Sequence, residues 1–275
     1  MSTAAPKVTV PEILRLKTTG QKITALTAYD YPFARIVDAC GIDVILVGDS
    51  VATVVQGVET TLPVTMDEMV YHCKLVTRAR PRALVVGDLP FLSYQAGVCA
   101  AIANAGRLLK DGGVEAVKLE GGINVARVMK AIVNVDIPVM AHIGLTPQSV
   151  HRMGGFKVQG KKSGRQPGAR ERLLDDAHAV EDAGAFAVVL EGVPMDLAQE
   201  ITEQLSIPTI GIGAGPFCDG QILVLHDILG LTDRFSPKFV KQYVNLQDVV
   251  SQAVSAYIGD VRGGAFPQDQ HSFHS

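Results

Sequence analysis

The chain has no tryptophan, and its aromatic content is only 5% of 275 residues. It therefore lacks the stacking platforms with which proteins hold single-stranded nucleic acid. It also lacks an excess of one charge: the formal net charge is -3 and no long basic run occurs, which leaves no electrostatic footprint for a phosphate backbone or an anionic membrane. The four cysteines, Cys40, Cys73, Cys99 and Cys218, are widely separated and form no CxxC pair. Neither a zinc site nor a disulfide framework is signalled, and buried reduced thiols are expected. No stretch approaches the ~20 apolar residues of a membrane span. The N-terminal MSTAAPKVTVPEIL has neither the charged start nor the apolar core of a secretory signal. A soluble cytoplasmic protein, with no nucleic-acid or membrane partner, is the expectation.

What is present is a regular alternation of short apolar runs and amphipathic stretches. A composition of 47% hydrophobic and 19% charged residues is that of a globular chain, and the length suits one large α/β domain over 1–275. Strand-like runs fall around residues 22–28, 44–48, 83–87, 115–119, 138–142, 186–190, 208–212 and 222–226. Val98, Ile102, Ala105 and Leu109 mark one helical face before a stop at Gly112 and Gly113. Leu173, Leu174, Ala177 and Val180 mark another, ended by Gly184. Thr65 and Glu68 have capping-box spacing. Eight βα repeats predict a closed parallel barrel, with a doubly wound open sheet as the competitor. In both, the ligand site lies at the carboxyl ends of the strands. Residues 153–168, MGGFKVQGKKSGRQPG, hold five glycines and four basic side chains, as a lid-like loop would. A merely solvated loop fits equally. The tail 262–275 lacks a periodic apolar face and is expected to be irregular.

Four acids share one local setting. Asp49 in VILVGDS, Asp88 in ALVVGDLP, Glu120 in AVKLEGG and Glu191 in AVVLEGVP each end an apolar run that a Gly or Pro turn closes. Runs of this kind suit strands buried on both faces, beside which an ionised group is costly unless something compensates. In a parallel sheet all four emerge at one end, where a hard cation or a proton transfer could use them. Mg²⁺ accepts one or two carboxylates plus substrate and water, a demand that Asp49 and Asp88 meet, with Glu120 completing the site directly or through water. Lys118 lies two residues before Glu120 and faces the same way, placed to balance a substrate carboxylate. A plain ion pair and a Schiff-base lysine are its alternatives. For each acid taken singly the alternative is a helix cap. His142, ending PVMAHIGL, is a substrate hydrogen-bond partner or a strand-end histidine held by the backbone. GIGAG at 211–215 lacks the spacing of a phosphate loop and reads as close backbone packing.

Taken together, the segments ITALTAYDYPFA, LVGDS, TLPVT, GDLPF, VKLEGG, HIGLTPQSV, GGFKVQG, VLEGVP, IPTIGIGAG and DGQILVLHD resemble, in order and over nearly the whole chain, the ketopantoate hydroxymethyltransferase family. The resemblance implies a (β/α)8 TIM barrel with an extra N-terminal helix, assembled as a homodecamer. The implied reaction is hydroxymethyl transfer from 5,10-methylenetetrahydrofolate to the 2-oxo acid 3-methyl-2-oxobutanoate, giving 2-dehydropantoate through a Mg-stabilised enolate. Carried over by position, Asp49 and Asp88 are magnesium ligands with Glu120 contributing. Asp49 and Asp88 thereby also meet the substrate, and Ser50 and Lys118 contact its carboxylate or keto oxygen. His142 is a hydrogen-bonding neighbour of the substrate and Glu191 is the catalytic base. An isocitrate lyase or phosphoenolpyruvate mutase type of enzyme shares the barrel and metal logic, and acts on other 2-oxo acids without a folate. A scaffold or binding module is the reading outside enzymology.

Overall fold

The computed structural model describes residues 6–155, 157–161, 168–232 and 237–274. The first of two compact units, Met1–Val224, contains a closed barrel of eight parallel strands in sequential order. These are β1 (Ile23–Thr27), β2 (Val44–Val47), β3 (Leu84–Asp88), β4 (Ala116–Glu120), β5 (Val139–Gly144), β6 (Ala187–Glu191), β7 (Thr209–Ile212) and β8 (Gly220–Leu223). The ring is closed where β8 pairs β1, with Ile23 opposite Gly220 and Ala25 opposite Ile222. β2 to β5 are buried along their whole length, which is why they read as continuous apolar runs rather than as alternating ones.

Inside the ring, Ala25, Val44, Leu46, Leu84, Val86, Ala116, Met140, Ala187, Val189, Ile210 and Ile222 make one core. The helix Val10–Thr18, which precedes β1, adds Ile13 and Leu16 to that core and so covers the N-terminal end of the barrel. Helices Tyr31–Ala39, Met66–Thr77, Val98–Lys110, Ile123–Val133, Ala169–Asp182 and Met195–Gln204 lie between successive strands. The capping box expected at Thr65 forms, with the Thr65 hydroxyl accepting the Glu68 N–H and Glu68 accepting the Thr65 N–H. In Val98–Lys110 the buried face is Ala101, Ala105 and Leu108, one position from the expected stripe. Small alanines let that helix lie close to the sheet, while Ile102 and Leu109 turn to its flank.

The last repeat departs from the pattern. Only seven residues, 213–219, join β7 to β8, and no helix lies between them. Extended, seven residues reach roughly 24 Å, enough to run back beside a strand of four residues, about 13 Å long. β8 accordingly ends at Leu223, three residues short of the expected 226, and Leu225–Ile228 is a short helix. Gly211, within GIGAG, meets the Cys218 sulfur: a Cβ there would lie 3.0 Å from Sγ. That is the close packing its composition suggested. Cys73 and Cys218 are buried and free, whereas Cys40, at the C-cap of Tyr31–Ala39, and Cys99, in the first turn of Val98–Lys110, are exposed, so the expectation of buried thiols fails for two of the four.

The second unit, Leu225–Ser275, holds the 18-residue helix Leu246–Gly263. Asn245 caps it by accepting the Asp248 N–H. This helix runs two residues into the segment expected to be irregular, and a single 3-10 turn follows at Asp269–His271.

Candidate active site

Alternation along each strand decides where the charged residues go. In β3 to β6 the inward positions change from apolar to ionisable as each strand nears its carboxyl end: Val86 then Asp88, Ala116 then Lys118 and Glu120, Met140 then His142, Val189 then Glu191. Side chains two residues apart share a face, so these five converge in the mouth of the barrel. Asp49 joins them from the turn two residues past β2. All but Glu191 are buried to within 5% of full burial, and Glu191 is largely buried.

A continuous set of contacts links the six. The Asp49 N–H donates to Asp88 Oδ2 at 3.0 Å. Lys118 Nζ lies 2.7 Å from Asp88 Oδ1, a close ion pair that leaves this oxygen a second lone pair for another partner. Lys118 Nζ is also 3.4 Å from His142 Nδ1. That nitrogen is 3.5 Å from Glu120 Oε1, and His142 Nε2 is 3.3 Å from Glu191 Oε2. Ser50 stands at the edge of the group with its hydroxyl 2.8 Å from the Tyr29 hydroxyl. Gly48 leaves the space between: a Cβ there would lie 2.8 Å from Ser50 Oγ and 3.5 Å from Asp88 Oδ2. Every residue singled out from the sequence is thus brought to one place.

Two cations face four carboxylates here, which leaves two negative charges without a partner. Burial raises the Asp49 carboxyl well above its usual range, and the charges of Asp88 and Glu120 raise it further against the pull of Lys118 and Gln148. Burial raises Asp88 as well, although Lys118 opposes it. Glu120 goes the other way: burial opposes ionisation, but His142, Lys118 and the Gln148 N–H outweigh it. Burial and Lys118 disfavour the imidazolium of His142, yet Glu120 and Glu191 lift it to about 9, so it is cationic at neutral pH. Lys118 is held above its ordinary value because Asp88, Glu120 and Asp49 overcome its burial. Excess negative charge in the mouth, beside two aspartates that offer carboxylate oxygens, suits a hard divalent cation. Among the described residues no three His, Cys, Asp or Glu side chains form a ready-made cage. A Mg²⁺ site built on two carboxylates with substrate and water completing the shell does not require one.

Two residues that hold the site were not singled out from the sequence. Gln148 donates its amide N–H to Asp49 Oδ2 at 2.9 Å and to the Leu89 carbonyl at 3.0 Å. Its backbone N–H donates to Glu120 Oε2 at 2.9 Å. The hydroxyl of Tyr94 accepts the Glu120 N–H at 3.1 Å and lies 2.8 Å from Gln148 Oε1 and 2.9 Å from the Glu120 carbonyl, either of which takes its proton. Gln148 lies within HIGLTPQSV, one of the segments that carry the resemblance. Tyr94 had no signal, since a loop tyrosine six residues past Asp88 has no fixed spacing to Glu120.

The residue types, their order along the chain and their convergence agree with a single family. The family model for ketopantoate hydroxymethyltransferase matches residues 7–269. This chain belongs to that family. It is 64% identical over 267 residues to the 3-methyl-2-oxobutanoate hydroxymethyltransferase of Geobacter metallireducens, covering 97% of this chain and 98% of the relative. It is 57% identical over 274 residues to that of Pelobacter propionicus, with full coverage of both. Among solved structures it is similar to phosphonopyruvate hydrolase in complex with oxalate and Mg²⁺, with a TM-score of 0.60 at 12% identity over 95% of this chain and 92% of that one. It is also similar to 2,3-dimethylmalate lyase, with a TM-score of 0.60 at 17% identity over 96% and 91%. At that identity the likeness is one of fold, so the isocitrate lyase and phosphoenolpyruvate mutase reading is supported only as shared architecture.

Beside the six side chains lies a cavity of about 810 Å³, lined in part by Gly121, Ile143, Gly144 and residues 157–161. The Gln159 N–H donates to the Gly192 carbonyl at 2.9 Å, which ties this segment to the residue after Glu191. The rest of the expected lid, residue 156 and residues 162–167, including Lys162 and Arg165, lies outside the described residues. Among the described residues no helix is long and apolar enough to cross a membrane.

Proposed function

We propose that this chain transfers a hydroxymethyl group from 5,10-methylenetetrahydrofolate to 3-methyl-2-oxobutanoate, giving 2-dehydropantoate and tetrahydrofolate. The observation that carries it is the convergence of Asp49, Asp88 and Glu191 around one buried, negatively charged mouth in a chain of this family. Asp49 and Asp88, with Glu120 contributing, are the residues that would hold Mg²⁺. The bound ion supplies polarisation of the keto group and stabilisation of the charge that develops on its oxygen.

The protein's own groups do the rest. Lys118, already paired with Asp88, offers a second positive charge to the substrate carboxylate or keto oxygen, and Ser50 offers a hydroxyl beside it. Glu191 takes the proton from C3 of the substrate. His142, protonated at neutral pH, points Nε2 at Glu191 Oε2 and orients that carboxylate. One of the two carbon–nitrogen bonds of the donor's methylene bridge opens to an iminium, and the electron pair left on C3 forms the new carbon–carbon bond to that carbon. The second carbon–nitrogen bond then breaks as water supplies the hydroxyl oxygen, and the two folate nitrogens take up the proton removed from C3 and one proton of the water. Self-association, as the decamer that the family resemblance implies, and a cytoplasmic location complete the reading. Light scattering of the purified protein measures the former.

The test is exchange of the C3 proton of 3-methyl-2-oxobutanoate with deuterium oxide, followed by NMR without any folate. Exchange that requires Mg²⁺ and stops in chelator is expected. Absence of exchange with metal present, or equal exchange in chelator, would overturn the reading.

A further inference from the structure

Two of the acids in the mouth are held by one side chain that the proposed reaction does not use. Gln148 sits in the 3-10 turn Pro147–Ser149, which follows β5, and is buried. Its amide nitrogen has two protons and donates both, to Asp49 Oδ2 at 2.9 Å and to the Leu89 carbonyl at 3.0 Å. Its amide oxygen lies 2.8 Å from the Tyr94 hydroxyl and accepts from Gln95 Nε2 at 3.4 Å. Chemistry fixes this orientation: turning the amide over would set its oxygen against an ionised carboxylate and a carbonyl, neither of which has a proton to donate.

These bonds leave each metal-side acid with an oxygen already engaged. Gln148 holds Asp49 Oδ2 through its side chain and Glu120 Oε2 through its backbone N–H at 2.9 Å. The Asp49 N–H holds Asp88 Oδ2 at 3.0 Å, while Lys118 Nζ lies 2.7 Å from Asp88 Oδ1. Asp49 Oδ1 accepts no hydrogen bond among the described residues. A carboxylate oxygen that accepts a short N–H bond is a poorer metal ligand, because its charge is drawn toward the donor and the positive end of the N–H dipole stands beside it. Neither aspartate therefore presents an open edge with both oxygens free.

That difference separates divalent cations. Ca²⁺ takes about six to eight oxygens in a flexible shell and accepts a carboxylate through both of its oxygens. Mg²⁺ is smaller and demands a near-regular octahedron, which the narrow bite of a two-oxygen carboxylate distorts, so it fills its shell with water and substrate instead. We propose that Gln148 is a positioning residue that sets metal selectivity: by occupying Asp49 Oδ2 it confines Asp49 to one oxygen, so the mouth takes Mg²⁺ or Mn²⁺ and discriminates against Ca²⁺. The assignment rests on the ion site of the reaction proposed above. Excluding Ca²⁺ keeps the smaller, more polarising ion against the keto oxygen.

Electron paramagnetic resonance of the Mn²⁺-loaded enzyme, with Mn²⁺ displaced by Mg²⁺ or by Ca²⁺, tests this without turnover. Gln148→Met keeps the length of the side chain and removes both N–H donors. Gln148→Asn keeps the amide but draws it back by one methylene, and it carries the test where the first variant does not fold by circular dichroism. Wild type is expected to bind Mg²⁺ about tenfold or more tighter than Ca²⁺, and each folded variant to gain about tenfold in Ca²⁺ affinity relative to Mg²⁺, the size of effect that outer contacts have on metal sites. An unchanged ratio in a folded variant would overturn the proposal, as would wild type that yields Mn²⁺ equally to both ions. A folded variant that loses Mn²⁺ altogether would also overturn it, since Gln148 would then support binding without selecting the ion. Asp49→Asn is the control for the underlying reading. Mn²⁺ held as tightly in that variant as in wild type would strike the ion site of the proposed reaction, a failure distinct from an unchanged selectivity.

Discussion

Replacing Tyr94 by Phe removes one oxygen atom and no volume, so it isolates the contribution of a hydroxyl that sequence gave no reason to suspect. The side chain is 1% exposed. Its hydroxyl donates one proton, to Gln148 Oε1 or to the Glu120 carbonyl, and accepts the Glu120 N–H at 3.1 Å. In the variant that buried N–H, at the last residue of β4, has no replacement partner. A buried donor left unsatisfied costs about 1–3 kcal/mol, and the lost donated bond adds something under ~1 kcal/mol. A loss of about 2 kcal/mol is expected. For a chain of 275 residues that is a fall of roughly 3–4 °C in Tm. The effect on catalysis should be smaller, because Gln148 is still fixed by its amide donation to Leu89 and by its backbone N–H on Glu120. Thermal unfolding read by circular dichroism, together with the Mg²⁺-dependent deuterium exchange rate, separates the two effects. A Tm within 1 °C of wild type would refute the role given to this hydroxyl. So would an exchange rate lowered more than a hundredfold with no change in Tm.

Glu191→Gln should abolish C3 proton exchange while leaving Mg²⁺-dependent binding of 3-methyl-2-oxobutanoate measurable by titration calorimetry. Exchange retained in the variant would remove Glu191 as the base. Gly144 has φ +95°, and a Cβ there would lie 2.4 Å from the Glu191 carbonyl oxygen. Gly144→Ala should therefore destabilise by about 2 kcal/mol or more, and a chemical-denaturation midpoint equal to wild type would contradict it. Glu181 accepts the Ser206 N–H and hydroxyl and the Ile207 N–H; burial opposes its ionisation, but these bonds outweigh it and hold its carboxyl below the ordinary range. Because the folded value is depressed, this stabilisation is present above pH ~4.5 and is lost as pH falls through the folded value. Glu181→Gln should lower the urea midpoint at pH 7 and much less at pH 3.5, and an equal loss at both would count against the linkage.

The barrel was legible because its strands are buried on both faces and end in acids at matching places. VILVGD, ALVVGD, AVKLE and AVVLE show both features within six residues each. β8 was misplaced because LVLHD continues the apolar pattern beyond the strand, and a seven-residue return leaves no helix to mark its start. The six charged residues were legible for a related reason: a period of two, read along a strand whose end is known, fixes which side chains face inward. Tyr94 and Gln148 were not, because their roles arise from loops folding back over the mouth, and no local spacing encodes which loop meets which strand. The partner of Lys118 was also open. The register pairing Asp88 with Lys118 across β3 and β4 puts Asp88 at its ammonium.

The central claim is that Asp49 and Asp88 share one divalent ion at the barrel mouth, where the substrate is also bound. Anomalous diffraction from crystals soaked in Mn²⁺ and 3-methyl-2-oxobutanoate tests it most directly. A single strong peak within coordination distance of a carboxylate oxygen of both Asp49 and Asp88, with the 2-oxo acid against it, is the expected result. A peak elsewhere, or substrate bound at the mouth with no metal beside these two residues, would contradict it.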